Sequence, residues 1–500
     1  MPADRQPRRG TALTVPEAAR RAVRELLRVS GVLDALAERF RAAGHQLFLV
    51  GGSVRDALLG GLNEDLDFTT DAPPETTLAL VRGLGPTWTT GMEFGTVGVQ
   101  VTSNGDHRCE ITTYRSEQYD ADSRKPAVQY GDSVHGDLSR RDFTVNAMAV
   151  PLPLDAARPV VDPYGGLEDL AGRVLRTPVS PEQSFDDDPL RMLRAARFAA
   201  QLEFDVDPAA VAAITAMASR LSIVSAERMH DELSKLVLGA RPRAGLQLLV
   251  DTGLAEFCLP ELAKLKETVD EHGRHKDVYA HTLTVLEQAI ALEDNGPDLV
   301  LRLAAILHDI GKPKTKSVGP RGKVSFHHHE VVGAAMAKQR LQELRYPRDV
   351  VEDVSRLVEL HLRFHGYAEG DWTDSAVRRY VRDAGPLLDR LHKLTRSDCT
   401  TRNAAKARAL STAYDSLEAR IAELEEREDL ERIRPDLDGN EIMTVLGVGP
   451  GPVIGRAYRH LLELRMEHGP LGRERAVEEL HRWAGEQGIS AGEQPGTSPE

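Results

Sequence analysis

The sequence predicts an α+β protein, with a mixed β-sheet head at the N-terminal end followed by an all-α remainder. Two patterns carry this expectation. Between Leu47 and about Val161, short apolar runs (FLV, GTVGVQV, CEITTY, NAMAVPL) alternate with turn residues, as strands do. From Asp186 onward the chain turns Ala-, Leu- and Arg-rich with helical periodicity. At 500 residues it exceeds one core, so about three or four domains are expected.

Taken in order, residues 1 to about 15 are polar and no element is expected there. An amphipathic helix follows over roughly 16–43, with a break near Gly31. Leu47 to Val50 reads as a strand that breaks at Gly51-Gly52, and Ser53 to Leu59 suits a helix. A second short run carries Asp65 and Asp67. The polar, Gly/Pro-punctuated stretch 116–137 lacks periodicity and predicts a long loop, which in a compact domain is functional or disordered. Helices are expected from Asp186 to Pro260, a histidine-bearing helical region over 261–400, and a long charged helix over 404–432 whose alternating charges suit a solvated face. The tail after Ala484 reads as disorder, and no internal repeat is visible.

Composition narrows the class. Hydrophobic residues at 41% and charged residues at 28% are those of a globular protein, and no apolar run approaches a membrane span of about 18 residues. Three cysteines (Cys109, Cys258, Cys399) without a CxxC pair argue against a disulfide scaffold and fit a reducing, cytoplasmic setting. A net charge of −14 opposes a nucleic-acid partner globally, so such a partner needs local Lys/Arg patches. Aromatics at 5% argue against base stacking as the main mode of recognition.

The chemistry begins at LFLVGGSVRDALLGGLNEDLDFTT. A strand, a glycine turn and a helix start offer free N–H groups and a helix dipole to a phosphate. Asp65 and Asp67, one residue apart on a strand, point to one face. A DxD pair alone is common on acidic surfaces, and the preceding glycine turn with Arg55 gives it weight. Glu110, on a neighbouring run, completes an all-oxygen set suited to two Mg²⁺ ions about 4 Å apart, the arrangement for attack on a nucleoside triphosphate.

In SRRDFTVN the structural alternative is a helix cap with surface arginines, and the functional one puts Arg141 on the triphosphate and Asn146 near ribose or phosphate. In DDDPLRMLRAARFAAQL, Asp188, Arg191, Arg194 and Arg197 recur every three residues, along one drifting helix face. They are either a salt-bridge ladder or a base reader. In the second case Asp188 accepts from an exocyclic amino group and Arg191 donates to the neighbouring ring acceptor. Such a pocket admits cytosine and adenine, and rejects uracil at about 1–3 kcal/mol per unpaired group.

The segments LVGGSVRDALLG…EDLDFTT, SRRDFTVNAMAV, VDPYGGLEDLAGRVLRT, FDDDPLRMLRAARFAAQL and SAERMHDELSKLVL occur in that order. Together they resemble the signature segments of bacterial class II CCA-adding enzymes, in the tRNA nucleotidyltransferase/poly(A) polymerase family, over roughly residues 45–260. The resemblance implies a nucleotidyltransferase head over 46–180, after an N-terminal segment of 1–45, and a base-reading helical neck over 181–260. It implies nucleotide contacts from Gly52, Arg55, Arg141, Asp188, Arg191, Arg194 and Arg197, metal binding by Asp65 and Asp67 with Glu110, and support of the reading helix by Arg228. Asp187 departs conservatively from the Glu more usual before the reading Asp.

Further along, His281, His308-Asp309 and Asp398 follow the H…HD…D order of HD-type metal-dependent phosphohydrolases, within an HD-type domain over 261–400. His329 and His361 extend the set toward a second metal, a divalent transition ion. An adjacent His and Asp on a helix turn should not both face the core, leaving one free for metal. His327-His328-His329 has the alternative of a polar loop. The segment from Ile433 to Met466 resembles the family's C-terminal tRNA-binding portion, placing a helical RNA-binding region over 401–484 before a tail of 485–500.

The function expected is template-independent addition of C, C and A to tRNA 3′ ends from CTP and ATP. A near alternative is a poly(A) polymerase or a CC- or A-adding enzyme. An alternative of another class is an HD phosphohydrolase with a nucleotide-sensing N-terminal domain.

Overall fold

The computed structural model describes residues 14–103, 105–118, 127–130, 133–154, 160–268, 277–320, 324–364, 367, 372–400, 403–428 and 434–489. The chain is α+β and forms two compact units, residues 1–263 and 264–500. The polar ends, 1–13 and 490–500, lie outside the described residues.

The first unit opens with α1 (Val15–Arg28) and α2 (Ser30–Ala42). The break falls at Val29, whose φ of −107° and ψ of 12° leave the helix, and not at Gly31. Gly31 sits inside α2 because a Cβ there would meet Ser103 Oγ at 2.3 Å, so it serves close packing.

Strands β1 (Leu47–Val50), β2 (Asp65–Thr70), β3 (Thr87–Trp88), β4 (Thr96–Thr102), β5 (Asp106–Thr113) and β8 (Ala149–Leu152) form a six-stranded sheet in the order β3-β4-β5-β2-β1-β8. β2 and β5 are parallel, and the other neighbours are antiparallel. Helix α3 (Gly52–Leu59) joins β1 to β2, and α4 (Pro74–Val81) follows β2. One face is core, with Leu66, Phe68, Val97, Val99, Cys109 and Ile111 buried, and side-chain alternation leaves Asp65, Asp67, Arg108 and Glu110 on the other.

The stretch read as a loop carries structure. β6 (Arg115–Gln118) pairs antiparallel with β7 (Ala127–Tyr130), and α5 (Val134–Ser139) follows. The remainder of that stretch, 119–126 and 131–132, lies outside the described residues.

After the sheet come α6 (Gly166–Gly172), α7 (Pro181–Asp187), α8 (Leu190–Leu202), α9 (Pro208–Met217), α10 (Ala226–Val237) and α11 (Pro242–Asp251). α8 is the axis of this layer, with ten of its thirteen residues buried. α11 comes close enough that a Cβ on Gly245 would sit 2.6 Å from the Ala196 carbonyl oxygen.

The second unit is almost wholly helical among the described residues. Helices Val278–Ala291, Leu299–Leu307, His329–Glu343, Arg348–Leu360 and Leu388–Asp398 supply or flank the histidines. The long helix Ala404–Glu428 is not solvated all round. Tyr414, Leu417, Ile421 and Leu424 recur at helical spacing and are buried, so its charges occupy only the outer faces. Helices Gly439–Leu446, Pro452–His468 and Arg473–Glu486 close a separate core around Leu446, Leu461, Leu480 and Trp483. That last helix runs past Ala484, where the tail was expected to begin. No described helix is long and apolar enough to cross a membrane.

Candidate functional site

A cleft of about 450 Å³ in the first unit gathers Gly51, Gly52, Arg55, Asp67, Asn146, Asp188, Arg191, Arg194 and Arg197 with Arg140, Arg141, Asp142 and Phe198. The glycine turn builds its floor. Gly51 has a φ of 69° and ψ of −135°, a conformation reserved for glycine, and α3 starts at the next residue. Asp67 Oδ2 and Arg141 Nη1 lie 3.9 and 2.5 Å from where a Gly51 Cβ would stand.

Asp65 and Asp67 share a face of β2, and the parallel register sets Asp67 beside Glu110. Ser53 pins this edge, because its Oγ accepts the Asp67 N–H at 2.9 Å. Burial raises the Asp67 pKa above the usual carboxylate value, the charges of Glu110 and Asp65 push the same way, and Arg141 and Arg55 oppose. The three carboxylates do not close to within 4.8 Å of one another, and Glu110 leans to Arg108, with Nη2 and Oε1 at 3.1 Å. Crowded like charges on all-oxygen donors suit a divalent cation, which would relieve the repulsion that disfavours ionised Asp67.

Around this floor, each arginine is held by a carboxylate or carbonyl. Arg55 donates to Asn146 Oδ1 at 2.8 Å and pairs with Asp56. Arg140 and Arg141 both pair with the fully buried Asp137. Arg194 meets Asp142 at 2.7 Å, and Asp142 also accepts from the Asn146 amide and the Phe143 N–H. Burial would raise the Asp142 pKa, but Arg194, the Asn146 amide, the Phe143 N–H and Arg191 hold it below its usual value. The Nε atoms of Arg141 and Arg194 are buried without a hydrogen-bond partner.

The row Asp188, Arg191, Arg194 and Arg197 is not one helix face. Asp188 precedes the helix, since α7 ends at Asp187 and Pro189 caps α8. A three-residue step on a 3.6-residue helix also turns the later arginines away. Arg191 is buried and donates to Ser184 Oγ and carbonyl and to the Arg140 carbonyl. Arg197 packs on Phe198 at 4.0 Å and pairs with Glu232 at 3.0 Å. Burial pushes the Arg197 pKa down to about 10, with Glu232 opposing. Asp188 accepts from Arg228 at 2.8 Å and from the Leu190 N–H.

The second unit holds a denser cluster. His281, His308 and Asp309 form one group and Asp309, His329 and His361 another, with ligand atoms of each within 4.8 Å and Asp309 common to both. Asp398 Oδ1 lies 2.9 Å from His281 Nε2 and 3.6 Å from His308 Nε2. Every Nδ1 of the four histidines is engaged outward: His308 with the Ala305 carbonyl, His329 with Phe326, His361 with Val358, and His281 with Thr400 Oγ1. That fixes each Nε2 toward the centre.

His308 and Asp309 are both buried, at 0% and 1% exposure, contrary to the expectation that one would turn outward. The helix ends at Leu307, and the turn that follows aims both side chains inward. His361 Nε2 is buried with no hydrogen-bond partner, and burial followed by the charge of His308 lowers its pKa to about 3. A neutral imidazole with a buried lone pair is a metal ligand by its chemistry, so this donor set fits divalent transition ions.

Asp137, Asp142, Glu232, Ser53, Lys312 and Thr400 were not anticipated from the sequence. Ser53 follows Gly52, Asp142 lies beside Arg141, Thr400 follows Asp398 by two residues, and Lys312 follows HD by three and reaches Asp309 Oδ2 at 2.8 Å, so these four had a local signal.

Comparison with known proteins agrees with this layout. Residues 47–176 match the "Poly A polymerase head domain", residues 203–266 the "Probable RNA and SrmB- binding site of polymerase A", and residues 278–424 the "HD domain". The A-adding tRNA nucleotidyltransferase of Deinococcus radiodurans is 34% identical over 88% of this chain and 95% of its own length. A CCA-adding enzyme of Streptococcus thermophilus is 31% identical over 84% of this chain and 89% of its own. The fold is shared with the Bacillus stearothermophilus CCA-adding enzyme solved with CTP, at a TM-score of 0.65, 23% identity, and coverage of 93% and 98%. The matched head and HD domains imply a dependence on a divalent metal. With a full-length relative above 30% identity and the three domain matches in order, the chain belongs to the tRNA nucleotidyltransferase/poly(A) polymerase family, as a nucleotidyltransferase with an HD domain.

Proposed function

We propose that the protein adds C, C and A to the 3′ end of tRNA without a template, using CTP and ATP and releasing pyrophosphate. The observation that carries this is the cleft that six arginines and the glycine turn line together with Asp67 and Asp188. The turn and the N-terminus of α3, with Arg55 and Arg141, hold the triphosphate. Asp188 accepts from the exocyclic amino group of cytosine or adenine, while Arg191, locked by Ser184 and the Arg140 carbonyl, fixes the wall beside it. Arg194 and Arg197 hold the cleft's positive field, and Asn146 orients Arg55. Asp65, Asp67 and Glu110 would hold Mg²⁺, which would supply a lowered pKa for the terminal hydroxyl and charge stabilisation for the leaving pyrophosphate. That hydroxyl attacks the α-phosphate of the nucleotide.

The division into head (46–180), neck (181–260), HD (261–400) and C-terminal RNA-binding (401–484) parts, and a cytoplasmic location, belong to the same proposal. A-adding is the second reading, favoured by the near full-length match to an A-adding relative. Phosphoester hydrolysis at the HD centre is an additional activity, favoured by its preset imidazoles.

Acceptors ending before C, C and A, incubated with CTP, ATP or both, separate these outcomes. Three-residue extension supports the proposal, a single A on a CC end supports the second reading, and no Mg²⁺-dependent pyrophosphate release rejects both. Asp65→Ala with Asp67→Ala is expected to abolish extension with the far-UV spectrum unchanged. Retained turnover would refute the metal assignment.

A further inference from the structure

The carboxylates stand in the middle of the sheet, and the cleft takes up only one side of them. On that side lie β1 with its glycine turn, and on the other lie β5, β4 and β3. Across this second side the register runs Asp67 to Glu110, Glu110 to Gly98, and Gly98 to Trp88. Paired residues of neighbouring strands share a face, so Trp88 belongs to the same solvent-facing surface as the carboxylates.

Gly98 makes that surface possible. A Cβ there would stand 1.8 Å from Trp88 Cε2, so the indole lies directly over the bare backbone of β4, toward Glu110. Arg108 covers the ring with its guanidinium carbon 4.8 Å from the centroid, and its Nη2 reaches Glu110 Oε1 at 3.1 Å. The Arg108 side chain is 60% exposed, so this layered stack presents a flat cationic face to solvent. At about 4.8 Å per strand, the ring lies roughly 10 Å from the strand of Asp67.

A transfer centre must receive two substrates at one set of carboxylates, and the triphosphate comes from the cleft side. We propose that the guanidinium plane of Arg108, supported from beneath by Trp88, is the stacking surface for the terminal base of the acceptor RNA strand. The proposal rests on the nucleotide-adding reading above. Aromatic rings and guanidinium planes are the surfaces on which single-stranded RNA bases stack, and every base offers a π-face. Indifference to base identity is what this position requires, because the strand ends in a different residue at successive additions. A hydrogen-bonding pocket there would reject its own product. The base reader belongs on the nucleotide side, where Asp188 stands.

The test compares an RNA acceptor whose last nucleotide is intact with one whose last nucleotide is abasic, in the wild-type protein, Trp88→Ala and Trp88→Phe. Removing the base is expected to raise the wild-type KM for acceptor about tenfold, within the range for one stacked base. Trp88→Ala should show the same rise with the intact acceptor and no further rise with the abasic one. Its KM for CTP and ATP should be unchanged, and Trp88→Phe should keep most of the sensitivity. A wild-type enzyme indifferent to the missing base overturns the proposal, whether or not Trp88→Ala folds. So does a Trp88→Ala enzyme that stays fully sensitive, or one whose KM rises equally for the nucleotides, which is the signature of a structural role. A wild-type protein that extends no acceptor rejects the underlying function instead, and the proposal with it.

Discussion

Gly51→Ala probes the site at its narrowest point. The residue holds a φ of 69° with ψ of −135°, and an L side chain in that region costs about 1–3 kcal/mol. The new methyl would also stand 2.5 Å from Arg141 Nη1, so Arg141 must leave its position at the cleft floor. Its partner Asp137 keeps Arg140 and is not left unpaired, so the backbone strain dominates the stability loss. For a unit of this size that loss corresponds to a melting decrease of roughly 2–10 °C. Gly52→Ala is the control. Its backbone lies in the helix, and the nearest side-chain atom, Arg55 Nη2, is at an ordinary 3.6 Å. Stability should be unchanged, or higher by about 0.4–1 kcal/mol through reduced freedom of the unfolded chain. Scanning fluorimetry with steady-state kinetics reads both effects. Gly51→Ala is expected to raise the KM for nucleotide beyond anything its stability explains, because a phosphate-facing donor has moved. If Gly51→Ala melts with Gly52→Ala and keeps its KM, both the strain and the role of Arg141 are misassigned.

Three further outcomes follow from the geometry. Asp67 must be ionised to hold metal and its pKa is raised, so metal affinity and rate should fall as pH drops through a value above 3.8, and Glu110→Gln should move that acidic limb to lower pH; a limb that does not move separates the two groups. Glu232→Ala leaves Arg197 buried without its carboxylate and is expected to cost about 3–5 kcal/mol in urea unfolding, while Glu232→Gln costs less; equal costs would show that packing, not charge, is lost. At the HD centre Asp309 is common to both ligand groups, so Asp309→Asn should remove all tightly held transition metal and His361→Ala only part of it, by atomic spectroscopy of the desalted protein, with nucleotide addition intact; full metal content in Asp309→Asn would refute the shared-ligand geometry.

The sheet head was legible because Leu66, Phe68, Cys109 and Ile111 alternate with Asp65, Asp67, Arg108 and Glu110, which states both the strand and its faces. The β6/β7 ribbon was not, because its polar residues carry no alternation. The arginine row misled for a definite reason. Counting threes backward from Arg191 to Asp188 passes through Pro189, which begins a helix more readily than it continues one. The histidines were legible as types in order, whereas the burial of both His308 and Asp309 depends on a helix that stops at Leu307, short of the breakers Gly311 and Pro313.

The net charge of −14 opposes an anionic substrate at the level of composition. In the fold, the acids do different work. Asp137 and Asp142 are buried, and both are held below the usual carboxylate pKa because arginines overcome the burial that would raise it. They fix guanidinium groups in place instead of repelling the ligand. Six arginines against three aspartates line the cleft, so the local sign is opposite to the global one. Distant surface acids are screened beyond about 10 Å at 0.1 M salt, whereas the cleft arginines act at contact. Positioning also matters as much as sign, since a guanidinium already held by a carboxylate loses little freedom when phosphate arrives. Removing Asp142 would therefore weaken binding although it deletes a negative charge from an anion site, because Arg194 would lose the group that aims it.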